Sequence, residues 1–228
     1  MRHRAGLVLS GAFLLLSLFL PAQADTVRIA TFNTELFRKG PGLLLRDIER
    51  REDPQIAAVI DVILAAKPDV LTLQGIDWDY SNRTLRALER HLALAGHPFP
   101  YLFAAAPNAG LPTGLDLDGD GRLGGPGDSQ GYGDFTGRGG IAVLSRIPID
   151  TAEVLDLSPM LWRDLPGALL PQNADGSPFP SATAQAVQRL SFSASCVAPL
   201  PLFGFATPVF ASFLVSFSVF PLSLLDPA

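Results

Sequence analysis

Cysteine is almost absent from this chain: its 228 residues include one, Cys196. A lone thiol excludes an internal disulfide framework, so the fold has to rest on its core and on any ion it binds. Histidine is scarce as well, with only His3, His91 and His97, which leaves few imidazoles to handle protons. Basic charge is in deficit, 17 Lys and Arg against 22 Asp and Glu. An acidic surface repels phosphate backbones and argues against broad, sequence-independent nucleic-acid binding, although a bound metal inverts the sign locally. From Leu190 to Leu225 there is no charged residue at all. Pro199, Pro201, Pro208 and Pro221 cut that stretch short of the roughly 20 apolar residues a membrane helix needs, so no membrane tether is expected. The composition shift reads as a change of reading frame near Ser191, with 191–228 an irregular apolar tail.

What is present suits one sizeable α/β domain. Residues 1–24 carry Arg2, His3 and Arg4, an apolar run from Ala5 to Leu20, and Ala22-Gln23-Ala24. This is the pattern of a secretory signal cleaved after Ala24, which predicts a secreted or periplasmic protein with its domain over 25–190. Removing the signal leaves 15 basic against 22 acidic groups, a formal charge of −7. Val27 to Phe32 reads as a short strand, Asp53-Pro54 as a helix start followed by an apolar face running to about Lys67, and Val70 to Leu73 as a second strand. A helix over 82–95, stopped by Gly96, and a strand over 101–105 follow. The Gly-, Asp- and Pro-rich run from 107 to 138 is a long loop of the kind that is functional or held by a ligand. Ile141 to Leu144 then returns to the sheet, with Arg138 and Arg146 flanking it.

The strongest metal pattern is Asp116-Leu117-Asp118-Gly119-Asp120-Gly121, with carboxylates at positions 1, 3 and 5 and glycine at 6, as in a calcium loop. Position 12 is Gly127, and the acid that should close the loop, Asp128, stands one place later. The stretch reads either as a structural Ca2+ site with Asp116, Asp118 and Asp120 as ligands or as a solvated acidic loop. His91 reads as a partly exposed helix histidine. Trp162-Arg163-Asp164 reads as a core tryptophan beside an ordinary ion pair, or as part of a cleft wall.

In order and content, VRIATFN over Val27 to Asn33, DVLTLQGID over Asp69 to Asp77 and GRGGIAVLSRIPI over Gly137 to Ile149 resemble the endonuclease/exonuclease/phosphatase (DNase I-like) family. The resemblance implies part of an α/β sandwich with a mixed sheet and flanking helices. It also implies hydrolysis of a phosphoester, in a nucleic acid or a small phosphate compound, with a divalent cation, Mg2+ or Mn2+. No protein partner is indicated. Asn33 matches the asparagine of the family's first motif, near metal and scissile phosphate. The family's metal-binding glutamate falls on Gly75, so Asp77, two residues on and on the same face if the strand continues, takes its place, with Asp79 as a second candidate. Arg138 and Arg146 are placed to steer the phosphate, since a guanidinium fork suits its oxygens. The family's later aspartate-x-asparagine and aspartate-histidine motifs have no counterpart, which implies a truncated chain, inactive or weak. The alternative is a calcium-stabilised extracellular binding module without catalysis.

Overall fold

The computed structural model describes residues 26–202 and 209–215; the expected signal at 1–24 and the rest of the tail lie outside them. Strand β1, Ile29–Leu36, alternates strictly, with its odd-numbered residues exposed and its even ones turned inward, the period-two signature of a strand covered on one face. Two helices follow. Helix α1, Leu43–Arg50, enters from Gly42 and buries Leu44 and Ile48. Helix α2, Pro54–Ala66, starts at Asp53, whose carboxylate accepts the amides of Gln55 and Ile56, and stops at Lys67 in a left-handed turn just before Pro68. Strand β2, Val70–Ile76, then lies parallel to β1.

Helix α3, Arg83–Leu94, leads to β3, Tyr101–Ala105. A short ladder pairs β4, Leu111–Pro112, with β5, Ser129–Gln130, and closes the long loop on itself. Strand β6, Gly140–Ser145, inserts antiparallel between β2 and β3, giving the order β1-β2-β6-β3. All six residues of β6 are buried, which explains its unbroken apolar reading. Ala142 and Leu144 join the core beneath the three helices, with Leu36, Leu71, Leu73, Ile76 and Leu88. Ile141 and Val143 face the other way and meet Val70 and Leu200. The result is a mixed sheet with flanking helices, as expected.

The stretch from Ser191, expected to be irregular, instead contributes two strands. A second sheet has the order β7-β8-β9, with β7 at Leu155–Asp156, β8 at Cys196–Leu202 and β9 at Val209–Val215. Prolines are tolerated in β8 because of where their backbone points. The carbonyl of Pro199 accepts the Asp150 amide on the side away from β9. Pro199 and Pro201 therefore lack an N–H only where the β7 ladder has already ended, while all seven residues pair with β9. Packing also runs straight through residue 191: Asn108 Nδ2 donates to the carbonyls of Ser158 and Ser191, at 2.9 and 2.8 Å, and Arg189 reaches Asn108 Oδ1 at 2.7 Å. Helix α4, Ala182–Val187, caps this region. A small apolar cluster, with Leu200 of β8 against Val70, Ile141 and Val143, joins the second sheet to the β6 side of the first. The outer face of β1 stays open to solvent, with Ile29 half exposed.

Candidate functional site

The candidate site stands where β1 and β2 end side by side. Their parallel register runs evenly to Asn33 opposite Gln74, then resumes at Leu36 opposite Ile76. Two residues of β1, Thr34 and Glu35, thus face Gly75 alone, a bulge that bends the strand end. Gly75 has φ +69 and Glu35 φ +51. Left-handed backbone is routine for glycine and uncommon for a glutamate. Three side chains hold the bulge. Thr34 Oγ1 donates to the Gln74 carbonyl at 3.0 Å, Asn33 Oδ1 accepts from the Glu35 amide at 3.4 Å, and Gln55 Nε2 donates to the carbonyls of Thr34 and Glu35 at 3.2 Å each.

The turn at Gly75 switches the face that β2 presents. Leu71 and Leu73 point into the helix-side core, Gln74 points away and donates to Thr31 Oγ1, and Ile76 is back in the core. A regular strand would have put Ile76 on the open face. The expected continuation that placed Asp77 with position 75 therefore does not occur. Strand β2 stops at Ile76, and Asp77 dips under the site, 6% exposed. Its Oδ2 accepts the Arg38 amide at 2.8 Å and its Oδ1 the Gly139 amide at 3.0 Å. Burial pushes its carboxyl above the usual range, and the two amides with the charges of Arg138 and Arg38 only partly reverse that. Asp77 ties the β1–α1 connection to the glycine turn ahead of β6.

Asp79 performs a different task. It receives the amides of Ser81, Arg83 and Thr84 at 3.2, 2.8 and 2.8 Å and so caps α3. Burial raises its pKa, but these hydrogen bonds outweigh that and hold it below the ordinary value.

Arg138 belongs to the same end of the sheet. It lies two residues before β6, whose Gly140 pairs with Ile76. Its guanidinium sits 4.6 Å from the centre of the Phe37 ring, with Nε 3.4 Å from Asp134 Oδ2. Arg146 lies at the far end of β6, eight residues and roughly 25 Å of extended chain away. There it pairs with Asp69 at 3.0 Å, beside a groove of about 430 Å³ that Thr26, Pro98 and Pro100 also line. The two arginines do not converge on one phosphate. Nor, among the described residues, does a histidine join Asn33: His97 Nε2 bonds the Pro68 carbonyl at 2.9 Å, just ahead of β2. His91 is held below its usual pKa by burial and by Arg51, against a hydrogen bond to Ile48.

In the long loop the carboxylates of Asp116, Asp118 and Asp120 come within 4.8 Å of one another and are exposed. Asp116 accepts the amides of Gly119 and Gly121, Asp118 that of Asp120, and Asp120 that of Arg122. Asp128, just beyond the expected closing position, is buried and takes the amides of Leu117, Gly124 and Gly125. Trp162-Arg163-Asp164 form one 3-10 turn, with Arg163 and Asp164 3.6 Å apart. Sequence reasoning missed the bulge at Thr34 and Glu35. The usable signal was alternation, which puts residues 31, 33 and 35 on one face.

The sequence matches the model of the Endonuclease/Exonuclease/phosphatase family over residues 30–208. The match begins inside β1 and continues past Ser191, beyond the expected end of the resemblance. A crystal structure of an endonuclease/exonuclease/phosphatase from Beutenbergia cavernae is similar at 16% identity and a TM-score of 0.38, covering 82% of this chain. The chain spans 37% of that protein's chain. No curated protein matches.

Proposed function

Because the chain belongs to the endonuclease/exonuclease/phosphatase family, whose members are hydrolases of phosphoesters and generally metal-dependent, we propose that it is an exported, slow phosphoesterase that works with Mg2+ or Mn2+. The observation that carries this reading is that the family's first-motif asparagine and a phosphate-compatible guanidinium share one end of the sheet, above a buried carboxylate. Asn33 Oδ1 is held toward Gly75 by the Glu35 amide and offers a hard oxygen to a cation. Arg138, its guanidinium 4.6 Å from the centre of the Phe37 ring, offers a fork to a phosphate. Asp77 lies beneath and fixes the turn that carries Arg138. A hard divalent cation suits this oxygen donor set, and when bound it supplies charge to polarise the phosphoryl oxygens. Among the described residues no imidazole stands at this end to pass a proton to the leaving group, which is why turnover should be slow. Export rests on the sequence of residues 1–24 and is tested by finding Asp25 at the terminus of secreted protein.

The decisive assay uses the full chain with Mg2+ or Mn2+ and, separately, bis(p-nitrophenyl) phosphate and p-nitrophenyl phosphate. Turnover that needs the metal and is lost in Asn33→Ala is expected. No turnover on either ester, or turnover indifferent to chelation and to Asn33→Ala, overturns the reading.

One observation favours a second reading, a calcium-stabilised module: the convergence of Asp116, Asp118 and Asp120. It predicts a Tm that rises with Ca2+ and ceases to do so in Asp118→Ala, with no ester hydrolysis.

A further inference from the structure

We propose that Arg38 is the positioning residue of this site: its guanidinium sets both the β1 bulge that follows Asn33 and the Phe37 ring that supports Arg138. The inference rests on the phosphoesterase reading above and names the residue that couples its two arms.

Arg38 lies two positions beyond β1, and its side chain is only 18% exposed. Its Nε donates to Asp47 Oδ2 at 3.0 Å, its Nη2 to Asp53 Oδ2 at 2.8 Å, and its Nη1 to the Phe37 carbonyl at 3.1 Å and to Gln55 Oε1 at 3.4 Å. A planar guanidinium makes these four bonds at once, and the single ammonium of a lysine cannot. So engaged, Arg38 acts through its neighbours rather than on a substrate.

Each bond leads toward the site. Because Gln55 Oε1 faces Arg38, its Nε2 faces the bulge and donates to the carbonyls of Thr34 and Glu35. The Glu35 amide in turn meets Asn33 Oδ1. Asp53 divides its oxygens: Oδ1 caps α2 through the Gln55 and Ile56 amides and Oδ2 takes Arg38, so the helix that carries Gln55 is fixed to the same guanidinium. On the other arm, Arg38 pins the carbonyl of Phe37, whose ring lies against Arg138. Arg138 depends on that ring, since its Nε is buried without a hydrogen bond and stands 3.4 Å from Asp134 Oδ2. The Arg38 amide adds a third tie through Asp77, whose other oxygen holds the Gly139 amide next to Arg138. One residue thus places Asn33 and Arg138 together.

The test is steady-state hydrolysis of bis(p-nitrophenyl) phosphate by the full chain with Mn2+, well below the Tm of each variant. Arg38→Lys keeps the charge between Asp47 and Asp53, so its Tm should stay close to that of wild type. It should nevertheless lower kcat and raise KM, for a loss of about 10- to 100-fold in kcat/KM, the scale of a small misplacement of reacting groups. Gln55→Glu still accepts from Arg38 but cannot donate to the bulge, and should lower kcat while leaving KM unchanged. The double variant should have the kcat of Arg38→Lys alone, because both substitutions cut one link. Gly42→Ala, which strains the backbone outside this network, is the control for lost stability and should keep wild-type kcat and KM. Wild-type kcat and KM in Arg38→Lys, wild-type kcat in Gln55→Glu, losses that multiply in the double variant, or an equal loss in Gly42→Ala each overturn the proposal and leave the phosphoesterase reading standing. If wild type shows no Mn2+-dependent turnover, both fall.

Discussion

Replacing Asp77 by asparagine exchanges one carboxylate oxygen for an NH2 group and tests how the site's floor is held. The carboxylate accepts one amide on each oxygen, Arg38 at 2.8 Å and Gly139 at 3.0 Å, and solvent hardly reaches it. Asparagine keeps one acceptor and turns an NH2 group toward the other N–H, leaving a buried donor unmade at a cost of about 1–3 kcal/mol. The surviving bond also loses its charge assistance. Against this, asparagine is spared the desolvation that dominates the Asp77 environment. The balance is a loss of about 2 kcal/mol, or a Tm lower by roughly 4–8 °C for a chain of this size. Urea unfolding in EDTA, followed by the fluorescence of Trp78 next door, measures it with metal binding out of play. Asp77→Asn should also raise KM more than it lowers kcat, because the Gly139 anchor holds the turn that presents Arg138. A stability loss below about 0.5 kcal/mol, within the range of ordinary surface substitutions, would refute the reasoning.

The bulge gives a matched pair: Gly75 and Gly42 have φ of +69 and +75, but a Cβ at Gly42 meets nothing within 4 Å. Gly42→Ala should cost only the left-handed backbone penalty, about 1 kcal/mol, and Gly75→Ala clearly more, measured by urea unfolding; equal losses would mean that the contact with Asn33 and Glu35 yields freely. Asp79→Ala should cost about 0.5–2 kcal/mol as a lost cap. Because the folded pKa of Asp79 is depressed, its contribution is present above the unfolded value of 3.8 and fades as pH falls through the folded value, so the gap between variant and wild type in thermal scans should narrow as the pH is taken below 3.8. Burial, then the charge and hydrogen bond of Asp156, push the Cys196 thiol up from 9.0 to about 11. Iodoacetamide should label native Cys196 at least about 100-fold more slowly than the urea-unfolded chain at pH 8. The stability linked to this raised pKa is intact below pH 9 and is lost as pH rises through 11, visible as a falling Tm.

Local signals located most of the first sheet. Asp53-Pro54 marked the start of α2, and the strand expected over 101–105 is β3, Tyr101–Ala105. Helix α1 was not read, and its physics shows why: it has eight residues, no side chain caps its start, and it enters through a glycine turn, so the breaker signal of Gly40-Pro41-Gly42 masked the spacing of Leu44 and Ile48. Strands β8 and β9 were hidden differently. Their residues alternate between two kinds of apolar or small side chain rather than between apolar and polar, and the prolines that argue against a strand face a side with no ladder. Neither fact exists before the chain is folded.

The site was legible in its residue types and illegible in its geometry, and the cause is a single glycine. A strand repeats every two residues, so reading Asp77 as the companion of position 75 follows from regular pairing. Gly75 breaks the count by turning left-handed, which returns Ile76 to the core beside Leu71 and Leu73 and sends Asp77 beneath the sheet. The packing of Ile76 is therefore bought at position 75 with the loss of any side chain there. On the neighbouring strand the extra residue of the bulge keeps Leu36 level with Ile76 and leaves Glu35 exposed, as Asn33 is. The glycine turn on β2 and the bulge on β1 are thus one packing constraint. A variant that restores regular register, by deleting Thr34 and replacing Gly75 with a β-former, should lower stability through Leu36 and Ile76, measured by urea unfolding. Undiminished stability in such a variant would show that neither the bulge nor the left-handed glycine is needed to seat Leu36 and Ile76.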